Sequence, residues 1–167
     1  MLITALSAIH GISFSGPVSA KDQISVYYAE MDAAILKKDP ASMSNILKSA
    51  ASPDYIYIEP DGLSQHLSKM IANIPHGLDP VDRFTTSKTR IDKIAVGSKS
   101  TVVHSTQLQE FITKPESDGT IHRFSDLSQN EDTWVKAKGR WMLKISKETK
   151  DTVRTDGRPL VSSTYHK

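Results

Sequence analysis

The sequence predicts an α+β domain in which three short helices come before a long antiparallel sheet. Three segments before residue 80 carry apolar residues at three- and four-residue spacing, the pattern of a helix with one buried face. From Phe84 onward, segments rich in Thr, Val, Ile and Trp follow one another with no helix between them. This order favours helices packed on one face of an antiparallel sheet.

The first predicted helix has the clearest pattern. Its buried stripe consists of Ile24, Tyr27, Tyr28, Met31, Ala34 and Ile35. Candidate caps of the three helices are Asp22, Asp39 and Ser64. Pro40 suits the first position of the second helix, residues 52–54 are expected to end that helix, and Pro75 is expected to close the third.

Five strands are predicted. The first covers residues 55–59, where Tyr55 and Tyr57 share one face and Ile56 and Ile58 share the other, so that either face can be the inner one. The later four cover residues 85–96, 100–113, 120–136 and 140–152. Glycine-containing turns separate them, as in hairpins.

Composition excludes several classes of protein. With 38% hydrophobic and 24% charged residues, the chain is neither disordered nor membrane-spanning in character. The formal net charge is +2 and the basic residues are scattered, so nucleic acid is not an expected partner. The chain has no cysteine, which excludes disulfides, thiol catalysis and thiolate metal sites.

The first twenty residues differ from the rest because they contain no Lys, Arg, Asp or Glu. They are largely apolar and end in the small residues Ser19 and Ala20, as a secretory signal does, which predicts export to the periplasm or the medium. No basic residue precedes the apolar part, so the alternative is an uncleaved leader on a cytoplasmic protein. Residues 21–152 are then the domain and residues 153–167 a tail. The apolar run is too short and interrupted for stable membrane insertion.

The order of elements and three stretches of sequence resemble the nuclear transport factor 2-like superfamily, in particular its SnoaL-like branch. The stretches are residues 32–40 around the first helix end, residues 54–62 in the first strand and turn, and residues 132–145 in the last hairpin. The resemblance implies a cone-shaped, strongly curved antiparallel sheet packed against three N-terminal helices, a cystatin-like or nuclear transport factor 2-like fold. It also implies a cavity between sheet and helices.

Asp132 is the first candidate for catalysis in such a cavity. On a strand it shares a face with Trp134, and a tight turn at Gly139 puts Trp134 opposite Leu143 and Asp132 opposite Ile145. A carboxyl group among an indole and aliphatic side chains should have a raised pKa, which suits a general acid or base. The alternative is an Asp132 that pairs with a basic residue at the rim of the sheet.

Other polar residues complete the candidate site. Asp32 is a further catalytic candidate because it lies one helical turn from Tyr28, whose hydroxyl could help to orient a carbonyl. His104 is a candidate base or donor, and Arg123 a candidate clamp for an anionic substrate. Tyr28, Tyr57, Arg123 and Trp134 are the candidate substrate-binding residues. Each of these residues has an ordinary structural alternative in the core, in an ion pair or in solvent.

No cofactor or metal is expected. The six histidines show no His-x-His or Glu-x-x-His spacing, and neither a Gly-x-Ser-x-Gly elbow nor a glycine-rich phosphate loop occurs. The sequence therefore favours an exported domain that binds a small, partly apolar molecule, with cofactor-free lyase, isomerase or hydrolase activity left open. The alternative is a non-catalytic ligand-binding or dimerisation module, and the resemblance implies a homodimer through the sheet face.

Overall fold

The computed structural model describes residues 19–160, which form three helices and one seven-stranded sheet. The helices are α1 (Ala20–Leu36), α2 (Pro40–Ala50) and α3 (Leu67–Leu78). The strands are β1 (Ala51–Ile58), β2 (Ser64–His66), β3 (Val81–Val96), β4 (Ser100–Thr113), β5 (Arg123–Ala137), β6 (Arg140–Thr155) and β7 (Arg158–Pro159). None of these helices is long and apolar enough to cross a membrane.

The predicted leader lies almost wholly outside this range, so export stays a prediction. The start of α1 differs from expectation, because Ser19 caps the helix by accepting a hydrogen bond from the backbone N–H of Asp22. Asp22 therefore lies in the first turn instead of capping it, and Ala20 is already buried in the core. The predicted domain start at residue 21 thus falls inside α1.

The second helix begins as predicted, with Asp39 as its cap and Pro40 as its first residue. It ends at Ala50, just before the predicted stop, and residues 52–54 belong to strand β1, which Ala51 opens. The third helix also differs. Ser64 lies in β2, which pairs with β1, and Pro75 lies inside α3, where it removes one hydrogen bond without ending the helix.

The sheet has the order β2-β1-β6-β5-β4-β3, with β7 paired to β6. Strands β3 to β6 form the predicted antiparallel meander, whereas β1 runs parallel to β6. The α+β class with a large curved sheet and three helices is confirmed. The sheet extends beyond the predicted boundary at residue 152, since β6 continues to Thr155 and β7 follows.

The core lies between α1 and the concave face of the sheet. Its completely buried side chains include Ile24 on α1, Val103 on β4 and Trp134 on β5. The Trp134 ring meets the Tyr27 ring edge to face, with centroids 5.2 Å apart. Because this packing joins α1 to the centre of the sheet, it fixes the helix over the concave face.

Asp32 ties α1 to the edge of the sheet formed by β3. Its carboxylate accepts hydrogen bonds from the Ser87 hydroxyl at 2.8 Å and from the Thr89 backbone N–H at 2.6 Å. The Thr89 hydroxyl at 3.1 Å and the Gln107 amide at 3.4 Å also donate to it. Both carboxylate oxygens are therefore engaged in holding the helix to the sheet.

We expect Asp32→Asn to lower the free energy of unfolding by about 2 to 4 kcal/mol, because hydrogen bonds to a charged acceptor are lost and a buried donor loses its partner. Glu30→Gln, at an exposed position of the same helix, should change it by less than about 0.5 kcal/mol. Urea unfolding of both variants measures the difference. Equal stability of the two variants would show that Asp32 is not a tether.

Candidate functional site

A cavity of about 220 Å³ lies between the helices and the concave face of the sheet. The helix side of its wall is apolar or aromatic. It consists of Tyr27, Tyr28, Met31 and Ile35 on α1, Met43 and Leu47 on α2, and Met70 and Ile74 on α3. Strand β1 adds Tyr55 and Tyr57 to the wall. The sequence did not decide which face of this strand is the inner one, and in the structure it is the face that carries the two tyrosines.

The sheet side of the wall is polar. Its residues are Thr89 on β3, Ser105, Gln107 and Gln109 on β4, Asn130 and Asp132 on β5, and Ser146 on β6. Period-two alternation places these residues together, since every second residue of a strand faces the cavity. Within residues 19–160, the cavity wall contains no Lys, Arg or His, and Asp132 is its one carboxylate.

Asp132 is buried, with 4% of its surface exposed. The Tyr28 hydroxyl donates a hydrogen bond to its Oδ2. The other oxygen, Oδ1, is buried without a hydrogen-bond partner among the residues that the structure describes. A buried polar atom without a partner is costly to the folded state.

The last hairpin sets the surroundings of Asp132. At its turn Lys138 and Gly139 have φ values of 50° and 82°, as a tight type I′ turn requires, and Trp134 faces Leu143 as predicted. An irregularity after Thr133 shifts the register by one residue. Asp132 therefore pairs with Ser146 and not with the predicted Ile145, which gives it a polar neighbour.

The electrostatics of the site follow from burial. Burial raises the pKa of Asp132, and the hydroxyl groups of Ser146 and Tyr28 offset this rise only in part. The pKa of Tyr28 is also raised, by burial first and then by the charge of Asp132. Because Tyr28 holds its proton firmly, its hydroxyl remains the donor to Asp132 throughout the physiological pH range.

The other tyrosines extend this environment. Burial raises the pKa of Tyr55 to about 12, and burial followed by Glu148 raises the pKa of Tyr57. The Tyr57 hydroxyl donates to the Glu148 carboxylate, which orients the ring at the wall. Tyr27 and Tyr28 meet edge to face, with ring centroids 5.3 Å apart. The wall therefore presents neutral phenols and aromatic edges to a ligand.

Comparison with solved structures identifies the fold. No family model and no curated protein matches the sequence. Among solved structures, a protein from Kribbella flavida matches with a TM-score of 0.63 at 12% identity, over 77% of this chain and 88% of that one. An NTF2-like protein from Cytophaga hutchinsonii matches with a TM-score of 0.53 at 17% identity, over 79% and 98%. This chain has the nuclear transport factor 2-like fold. An NTF2-like superfamily protein from Salmonella enterica agrees, with a TM-score of 0.54 at 16% identity, over 88% and 96%.

The nuclear transport factor 2-like fold implied by the sequence is thus confirmed, while the SnoaL-like branch stays a prediction. Within this fold the structure brings three predicted site residues, Tyr28, Tyr57 and Asp132, to one cavity. Asp32 lies one turn from Tyr28, as expected, yet its carboxylate is used as the tether to β3 and does not line the cavity.

Three other predicted residues lie away from the cavity of the nuclear transport factor 2-like fold. His104 lies on the outer face of the sheet, 3.8 Å from Glu131, because its neighbours on β4 are the ones that point inward. Arg123 is exposed at the start of β5, far along the strand from Asp132. Trp134 shares the inner face with Asp132 but has no exposed surface, so it packs behind the wall.

Most residues of the polar wall were not among those predicted from the sequence. Asn130 follows from the same period-two argument that selected Asp132, extended by one step along β5. Ser105 follows in turn, because β4 pairs it with Asn130. The sequence offers no comparable signal for Ser146, whose place depends on the register shift in the last hairpin.

Burial of acidic groups in this fold predicts a pH dependence. The pKa of Asp132 is raised on folding, so the folded state loses stability relative to the unfolded state as pH rises above about 4. Asp132→Asn removes this loss. We expect the unfolding free energy of the variant minus that of wild type, measured by denaturant titration, to increase as pH rises above about 4.

Asp126→Asn is a second variant with which Asp132→Asn is compared. Asp126, on the same face of β5, has its pKa raised to about 7 by burial and the neighbouring Asp151. For Asp126→Asn the same difference should also increase from about pH 4 and should level off above about pH 7. A difference for Asp132→Asn that stays constant with pH would contradict the assignment of Asp132 as a buried acid.

Proposed function

We propose that the protein binds a small uncharged molecule in the cavity and acts on it by cofactor-free acid–base chemistry, with Asp132 as the group that exchanges a proton. One observation carries the proposal: Asp132 lines the cavity, and its Oδ1 is buried and lacks a partner among the described residues. A ligand atom beside Oδ1 would satisfy it in either protonation state. The carboxylate accepts a proton there, and the carboxylic acid donates one.

The raised pKa of Asp132 supports this role. A catalytic acid or base works best when its pKa lies close to the working pH, and burial moves a carboxyl group in that direction. Tyr28 acts as a positioning residue, because its hydroxyl holds Oδ2 and leaves Oδ1 as the oxygen that has no partner among the described residues. Proton transfer therefore takes place at one defined oxygen.

The polar wall supplies the second requirement of such chemistry. When the Asp132 carboxylate removes a proton from carbon next to a carbonyl, negative charge develops on the carbonyl oxygen. The amide groups of Gln107, Gln109 and Asn130 line the same cavity and are able to donate hydrogen bonds to that oxygen. The Asp132 carboxyl then returns its proton to another carbon, as in an isomerase, or to a departing hydroxyl, as in a lyase.

The charge of the cavity wall limits which ligands are able to bind. A carboxylate or phosphate group would meet Asp132 with no Lys, Arg or His in the described wall to balance it. A neutral carbonyl or hydroxyl compound avoids this cost. An Arg123 clamp for an anionic substrate is therefore not part of the proposed site.

The test uses matched ligands and a proton-exchange assay. Acetophenone should raise the melting temperature of the protein, and benzoate should not. In deuterated buffer the protein should catalyse exchange of the methyl protons of acetophenone, followed by NMR. Asp132→Asn should slow this exchange by about 10²- to 10⁴-fold, whereas Glu131→Gln, on the outer face of the same strand, should not.

Each outcome of that test decides between an enzyme and a binding module. Binding of acetophenone with no exchange above background favours the non-catalytic ligand-binding module. Full exchange activity in Asp132→Asn removes Asp132 from catalysis. Loss of activity in Asp132→Asn, in a variant whose free protein melts at a temperature no lower than wild type, supports Asp132 as the group that exchanges the proton.

We also propose that two copies pair through the outer face of the sheet. Leu108 and Leu127 lie opposite each other on β4 and β5, and Leu127 is 42% exposed. Light scattering after size exclusion should give twice the monomer mass. Leu127→Lys should shift the protein toward monomer, while Leu63→Lys, in the exposed turn before β2, should not. A strict monomer at high concentration would refute the pairing.

A further inference from the structure

A second cavity adjoins the first and changes what kind of ligand fits. It has a volume of about 250 Å³ and lies where the end of α3 meets the start of β3. Ile35, Met43, Ile74 and Gln109 belong to the walls of both cavities. The two spaces are therefore neighbours separated only by side chains that each of them touches.

This second cavity, the annex, differs from the first in chemistry. Apart from Gln109, which the two cavities share, its wall contains no polar side chain among the described residues. Its own residues include Leu78 and Val81, both buried, and the cross-strand pair Phe84 and Phe111, with ring centroids 5.5 Å apart. The annex therefore offers a ligand apolar contact and almost no hydrogen bonds.

Size also links the two spaces. Pockets that hold small-molecule ligands usually measure at least about 300 Å³. The first cavity alone, at about 220 Å³, falls below this value, whereas the two together exceed it. A ligand that used only the polar cavity would be unusually small and would leave the adjoining apolar space empty.

We propose that the ligand is amphiphilic, with a neutral oxygen-bearing head at Asp132 and an apolar tail that lies in the annex against Phe84 and Phe111. This inference rests on the proposed function, since the head is the group on which Asp132 acts. The head is selected by hydrogen bonds to the polar wall. The tail adds affinity in proportion to the apolar area that it removes from water.

A homologous series of methyl ketones tests the tail separately from the head. Binding of 2-butanone through 2-undecanone to the full chain is measured by calorimetry. Each added methylene should tighten binding by about fourfold until the annex is full, after which affinity should level off. Fatty acids of the same lengths should bind more weakly, because their charged head meets Asp132.

Two variants locate the tail. At Gly77, which lines the annex, an added Cβ meets no atom within 4 Å, so a side chain is tolerated there. Gly77→Leu should make affinity level off at a shorter chain, while the matched control Gly77→Ala should resemble wild type. Phe84→Ala enlarges the annex and should move the plateau to a longer chain.

The outcomes separate this inference from the proposed function. If short ketones bind through Asp132 but affinity does not rise with chain length, the annex is not a tail site and the proposed function stands. If affinity rises with length but neither Gly77→Leu nor Phe84→Ala moves the plateau, the tail lies elsewhere and the inference fails. If no ketone of any length binds, both fail.

Discussion

Helix α1 is attached to the sheet by polar contacts along its length, and the cavity exists because of them. Near its start, the Gln23 side chain donates to the Trp141 carbonyl at 2.7 Å and accepts from the Trp141 N–H at 3.1 Å. One turn later Tyr28 reaches Asp132 on β5, and a further turn later Asp32 reaches β3. Helix α1 thus crosses the sheet from β6 to β3 and covers its concave face.

This arrangement gives two acidic residues opposite roles. Asp32 accepts four hydrogen bonds, and both of its oxygens are used. Asp132 accepts one from Tyr28 at Oδ2, and its Oδ1 has no partner within residues 19–160. A satisfied carboxylate stabilises a fold, whereas an incompletely satisfied buried one destabilises it. Asp132 therefore costs stability at the place where it lines the cavity, and its proposed catalytic role rests on this observation.

Local patterns in the sequence predicted the elements and part of the site. The helical stripe of α1 and the shared face of Asp132 and Trp134 depend on short-range periodicity, which the chain carries in every segment. Long-range pairing is different. The parallel contact of β1 with β6 and the partners of Asp32 join residues far apart in sequence, and the register shift beside Asp132 does not follow from the length of the hairpin turn. No spacing rule reports them, and they decide which candidates reach the cavity.

His104 is an example of a residue whose side of the sheet could not be decided from the strand pattern. A strand pattern says that alternate residues face opposite sides, but it does not say which set is inside unless one member is known to be buried. Val103 and Ser105 are the inward residues of β4, so His104 faces outward. On β5 the buried Trp134 supplied that reference, and Asp132 was placed correctly on the inner face.

The residues on the helix side of the cavity show why a cavity is hard to predict from sequence patterns. Met31, Met43 and Met70 lie at positions of the apolar stripes, where a sequence pattern cannot distinguish core from cavity wall. They are three of the five methionines in the chain. Methionine side chains are unbranched and adapt to the shape of what they contact. The helix side of the wall is therefore tolerant of shape, whereas the amides and Asp132 on the sheet side are selective for the position of oxygen atoms. Discrimination in this protein should arise on the sheet side and breadth on the helix side.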